Sequence, residues 1–268
     1  MTGRAGADVL RAGDGRPARV ATRVMAMLEM ELRLTSRRLE NLVVTLVLPA
    51  VLLLFFGSVP VLPDAATAMP GARPIDGVLP AILATAIVAA GLVNLGISTG
   101  FERSYGVLKR LGASPLTRGQ LLAAKVGTIA VVEAVQAVLL VGLAVAVFGW
   151  SPGPGWSPVA VGAALVLGTA AFSALGLLLA GTLRAEATMA LTNALFLLAL
   201  LLGGLLVPGH QLPGLLGALA SLLPTAALAD ALRVGLGAST GDLGGPLFLL
   251  AGWALVTAAL TARTFRWE

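Results

Sequence analysis

Residues 101–120 read FERSYGVLKRLGASPLTRGQ, a charged island between two apolar stretches at 77–100 and 121–148. Taken as a short helix, the island sets Phe101, Tyr105, Leu108 and Leu111 at i, i+4, i+7 and i+10 on one face, with Glu102, Arg103, Lys109 and Arg110 elsewhere around it. Gly112 then offers a left-handed stop, and Pro115 bars continuation. Thr117-Arg-Gly-Gln120 matches S/T-x-x-E/Q, whose side chains satisfy the orphan amides at a helix start. Each flanking stretch exceeds the roughly 20 helical residues that span a hydrocarbon core of about 30 Å. The pattern predicts a short amphipathic helix held at a membrane surface between two spans.

Working outward, the rest of the chain is of the same kind. With 57% hydrophobic and 12% charged residues over 268 positions, and a mean hydropathy of +0.94, there is too little polar surface for a soluble domain. Six segments are long enough to cross, near 41–62, 77–100, 121–148, 158–181, 188–207 and 244–262. The stretch 208–224 is apolar too, but Pro208, Pro213 and Pro224 cut it into pieces of about ten residues, so it reads as a re-entrant or interfacial hairpin. Strand alternation of the barrel kind is absent, and the fold class expected is an all-α membrane protein.

Basic residues set the orientation. Sixteen of the 18 Lys and Arg fall before the first span, on the island and its continuation, at Arg184, or at Arg263 and Arg266; only Arg73 and Arg233 fall on the other side. The positive-inside bias therefore puts both termini and the island in the cytoplasm. It also accounts for the sequence pI of about 10.9 without nucleic acid, since no basic domain gathers the charge. Trp150 and Trp156 flank an external loop, where interfacial indoles are expected.

Residues 1–18 are rich in Gly, Ala and Arg with no apolar core, and read as a disordered cytoplasmic tail rather than a cleavable signal. Beyond it, Arg19, Arg23, Arg33 and Arg37 project to one side, and Val24, Leu28, Leu32 and Leu39 to the other. Such a helix either lies on the inner leaflet or caps the bundle.

Two motifs give the arrangement a family likeness. Glu102-Arg103-Ser-Tyr-Gly106-Val-Leu-Lys-Arg-Leu-Gly-Ala-Ser114-Pro115-Leu116 is one. Gly203-Gly204-Leu-Leu-Val-Pro208, with Leu212-Pro213-Gly214, Leu223-Pro224 and Asp230-Ala-Leu-Arg233, is the other. Together they make residues 19–268 resemble the type-2 permease subunits of ABC exporters, the group that includes daunorubicin-resistance permeases. The resemblance implies a bacterial plasma-membrane protein that is not itself an enzyme. It implies a separate ABC ATPase that binds ATP and Mg, and a second permease copy or sister subunit. The island is then the coupling helix, with Tyr105 and Leu108 as apolar plug and Glu102, Arg103, Lys109 and Arg110 as polar contacts to the ATPase.

The residues themselves agree that no chemistry is encoded. Neither lysine, Lys109 or Lys125, sits in the Gly-Lys-Ser/Thr core of a P-loop. One histidine, His210, and no cysteine make neither a usual zinc site nor a triad. Asn94, Glu133 and Asn193 lie inside spans, where polar groups either mark a substrate pathway or hydrogen-bond neighbouring helices. Gly96-Ile-Ser-Thr-Gly100 would permit close helix approach. Two functions follow: a permease exporting an amphipathic small molecule, drug or lipid, or a non-transporting scaffold or sensor that docks the same ATPase.

Overall fold

The computed structural model describes residues 20–37, 39–59, 73–113, 117–203 and 214–265. The tail, Pro115, His210 and the first part of the proline-cut hairpin, residues 208–213, therefore lie outside the described residues. The described elements are helices throughout. α1 (Val20–Arg37) is the amphipathic N-terminal helix, and α2 (Leu39–Ser58) follows it. α3 (Pro74–Val88), a π-turn (Ala89–Asn94) and α4 (Leu95–Ser104) form one continuous rod of 31 residues. α5 (Val107–Gly112), α6 (Arg118–Phe148), α7 (Pro158–Thr182) and α8 (Ala185–Leu202) come next, then α9 (Gly214–Ser221), α10 (Pro224–Gly235) and α11 (Gly244–Thr264).

Among the described residues five helices are long and apolar enough to cross a membrane: the α3–α4 rod, α6, α7, α8 and α11. The described apolar part of α2, Thr45–Ser58, is shorter. The rod is the central element, with almost every α3 side chain buried. α7 packs on it and on α11. The outer helices keep apolar faces uncovered, among them Val135 and Val138 of α6, Leu197 and Leu201 of α8, and Phe248 and Leu255 of α11. An apolar surface of that extent belongs in lipid.

Helix ends are set by local chemistry. The capping box expected at the start of α6 is present: Thr117 Oγ1 accepts from the Gln120 amide, and Gln120 Oε1 accepts from the Thr117 amide. At the start of α11, Asp242 accepts from the amides of Gly245 (2.8 Å) and Gly244 (2.9 Å), and these bonds hold its carboxyl below the usual range. Glycines let the central helices close on one another. A Cβ on Gly176 of α7 would sit 2.5 Å from the Gly91 carbonyl oxygen, at the π-turn. Gly96 meets α7 and α8 within the same chain, so Gly96-x-x-x-Gly100 does permit close approach, here intramolecularly. Hydroxyls add cross-links: Thr261 Oγ1 of α11 donates to the Ala174 carbonyl of α7 at 2.8 Å.

Three details depart from the sequence reading. Trp150 is buried in the main core instead of lying at an interface, while Trp156 is exposed. Residues 224–235, which the reading left as external connection, form a helix buried on nearly all sides against α3, α7 and α11. Its Arg233 is buried with it, ion-paired to Asp230 at 3.0 Å. A twelve-residue helix is too short for the length criterion that finds spans, which is why it escaped.

Candidate functional site

The charged island is not the single helix that its spacing suggested. The helical rod of the second apolar segment runs on through Phe101 and Glu102 and stops at Ser104. Gly106 then adopts φ +71°, the left-handed region that costs glycine least, and a six-residue helix, α5, leaves in a new direction. The left-handed stop is therefore Gly106 and not Gly112, which ends α5 without a positive φ.

This break divides the island's side chains into two sets. One set faces the protein. Leu108 is fully buried in a cluster with Met27 of α1, Leu95 of α4, Leu121 and Ala124 of α6, Leu177 of α7 and Phe265. Arg103 donates to the Leu183 carbonyl at the end of α7. Glu102 pairs with Lys125 of α6 at 2.7 Å, and Lys125 also donates to Glu31 of α1 at 2.9 Å. The other set faces out: Tyr105 is 73% exposed, and Val107, Lys109 and Arg110 are exposed beside it. Phe101 and Tyr105 rings lie 6.0 Å apart, which steadies the tyrosine over the break.

Lys125 and Glu31 join the site only in the structure; the sequence reading names neither as a site residue. In the sequence Lys125 counts toward orientation and is excluded as a P-loop lysine, and Glu31 carries no role. The available signal is a lysine within the first turns of an otherwise apolar helix, with Glu29 and Glu31 on α1 and Glu102 on the island as acids that could meet it. The Lys125 side chain is 2% exposed, against 16% for Glu31 and 25% for Glu102. A buried ammonium is tolerated only when paired, and two carboxylates supply that pairing.

Beside the charged trio is a cavity of about 140 Å³, whose polar wall includes Glu31, Thr45, Asn94, Ser98, Glu102 and Lys125. Of the three intramembrane polar residues, the structure brings only Asn94 to this cavity. Glu133 turns the other way, accepting a hydrogen bond from Thr169 of α7, and is buried between the two helices. Asn193 is exposed on α8 and donates to its own helix at Met189 O, 2.9 Å.

The geometry is thus a helical rod in an apolar bundle with a break at Gly106 that presents Tyr105, Val107, Lys109 and Arg110 outward. A family model described as ABC-2 type transporter matches residues 22–236, most of the chain and all of this region. The chain belongs to the ABC-2 type transporter family. No curated protein matched it. It is a multi-pass membrane protein and a permease subunit of an ABC type-2 transporter, a family that works with an ABC ATPase. In this ABC-2 subunit the matched region runs from α1 to the first residue after α10, and so takes in the buried helix as well as the island.

Proposed function

We propose that this chain is the membrane half of an exporter that moves an amphipathic small molecule, drug or lipid out of the cytoplasm or inner leaflet of a bacterial plasma membrane. Energy comes from a separate ABC ATPase, and two permease copies, identical or sister subunits, complete the pore. α2 supplies the sixth crossing, with both termini in the cytoplasm.

One observation supports this reading above the rest. The island is fixed to its own chain by Leu108, Arg103 and the Glu102–Lys125 pair, while Tyr105, Val107, Lys109 and Arg110 are presented outward. A projection braced from beneath passes a push into the rod behind it; a loose loop would absorb it. Leu108 is then the brace and Tyr105 the docking plug. Exposed aromatics at an interface centre are the side chains whose truncation costs most, over about 2 kcal/mol, whereas rim charges act more on encounter.

Tyr105→Ala should leave the permease inserted but release the ATPase or uncouple its hydrolysis from transport. Co-purification of the two subunits together with efflux of a reporter amphiphile measures this. Full ATPase binding and normal efflux in Tyr105→Ala would remove the island from the coupling path.

A further inference from the structure

The cavity between α1, α2, the rod and α6 has an unbalanced charge. Two carboxylates, Glu31 and Glu102, face one ammonium, Lys125, leaving a net formal charge of −1 on a wall where all three side chains are at least three-quarters buried. Glu102 Oε2 is closed off from solvent and lies 2.7 Å from Lys125 Nζ, the same ammonium that Glu31 Oε1 meets at 2.9 Å, so one positive charge is shared between two carboxylates. The one negative charge left over from that sharing is costly in such a place unless something positive completes it.

The rest of the lining indicates what fits. Asn94, Ser98 and Thr45 add neutral polar groups, and Leu34, Leu95, Ile129 and Val132 add apolar wall. The rod widens into its π-turn at this point, and both Ala90 and Asn94 of that turn line the cavity. Such turns are rare and recur at functional sites. About 140 Å³ exceeds many times the roughly 10–15 Å³ that one water needs, and suits a headgroup with a few heavy atoms. A metal ion is disfavoured because no three His, Cys, Asp or Glu side chains come together among the described residues, and an anion because two carboxylates would repel it. We infer that this cavity receives the ammonium headgroup of a cationic amphiphile, with Glu102 and Glu31 as its counter-charges and the apolar wall against its alkyl chain. The inference rests on the permease reading above and adds the cargo class and its place of binding.

The test is equilibrium binding of dodecyltrimethylammonium to the full-length permease in nanodiscs, below micelle-forming concentrations. The controls are dodecyl maltoside as neutral probe and dodecyl sulfate as anionic probe. Wild type should bind the cation saturably and in preference to both. Glu102→Gln should weaken cation binding roughly tenfold or more, since the Coulombic attraction of a largely buried carboxylate for the quaternary ammonium is lost, and leave the neutral probe unchanged. If Glu102→Gln fails to insert, Glu31→Gln removes the same charge from another helix. Lys125→Met separates a site from a mere brace: it takes the net charge from −1 to −2, so cation binding should hold or tighten. No preference for the cation in wild type, equal losses for charged and neutral probes, or a Lys125→Met loss as large as that of Glu102→Gln would each overturn the site. If efflux of the reporter depends on Tyr105 while wild type shows no cation preference, the permease reading stands and only the cationic cargo fails.

Discussion

Gly106 and Gly112 are six residues apart and look equivalent in sequence, yet only Gly106 takes a left-handed conformation. A Cβ there would meet nothing within 4 Å, so any penalty at this site is purely conformational. An L-residue in the left-handed region costs about 1–2 kcal/mol, and a β-branched one resists it most. Gly106→Val should therefore redirect α5 and reduce ATPase co-purification, while Gly112→Ala should leave both the permease and its ATPase binding close to wild type. Equal damage at the two positions would contradict the break at Gly106. Glu133 gives a second residue-scale expectation. Because its carboxylate accepts from Thr169, Glu133→Gln keeps an acceptor in place and should melt close to wild type, and transport of cationic and neutral compounds should fall equally if at all. Glu133→Ala leaves the Thr169 hydroxyl without that partner and should cost about 1–3 kcal/mol in thermal unfolding.

At the scale of elements, glycine placement separates necessary small residues from incidental ones. Gly176 of α7 faces the carbonyls of Gly91 and Leu92, where an added Cβ would approach to 2.5 and 2.9 Å, and backbone cannot move aside as a side-chain tip can. Overpacking of this kind typically costs about 1–3 kcal/mol. Gly162, at the other end of the same helix, has nothing within 4 Å, and alanine there should be neutral or gain up to about 1 kcal/mol of helix propensity. Melting curves of Gly176→Ala and Gly162→Ala in detergent should thus shift in opposite directions or by clearly unequal amounts. Elements defined by long apolar runs or by local capping were legible in the sequence: α1, the capping box at Thr117, and the helices of the rod, α6, α7, α8 and α11. The island was half legible. Its residues were identified, but the i, i+4, i+7 pattern assumed one helix, because continuity of the rod through Glu102 depends on packing against α7 and α8 that no local pattern records. α10 was not legible at all, since a twelve-residue segment with Asp230 and Arg233 resembles a polar loop until its neighbours bury it. The Glu31–Lys125–Glu102 trio joins positions 94 and 23 residues apart, and only the tertiary fold makes those three charges one feature.

For the whole molecule, two sets of contacts fix which ends of the helices lie together. At one end, Met27, Leu108, Leu121 and Phe265 share a cluster, and Arg118 donates to the Phe265 carbonyl at 3.1 Å. At the other, Arg73 donates to the Phe148 carbonyl at 3.2 Å, and the Gly153 amide donates to the Leu236 carbonyl at 3.1 Å. The first end holds the island, Arg118, Arg184 and Arg263, and the second holds Arg73 and the exposed Trp156. The Lys/Arg imbalance therefore follows a physical division of the bundle and not merely an order along the chain, and the positive-inside bias orients that division with the basic end in the cytoplasm. Because the chain has no cysteine, single cysteines report accessibility without background. Lys109→Cys and Arg263→Cys should resist an impermeant maleimide on intact cells and react after permeabilisation, whereas Trp156→Cys should react on intact cells. Protection of residue 156 together with labelling of residue 109 from outside would invert the molecule. An inverted molecule would place the Tyr105 surface on the side without ATP, so this one measurement bears on the topology and on the coupling assignment together.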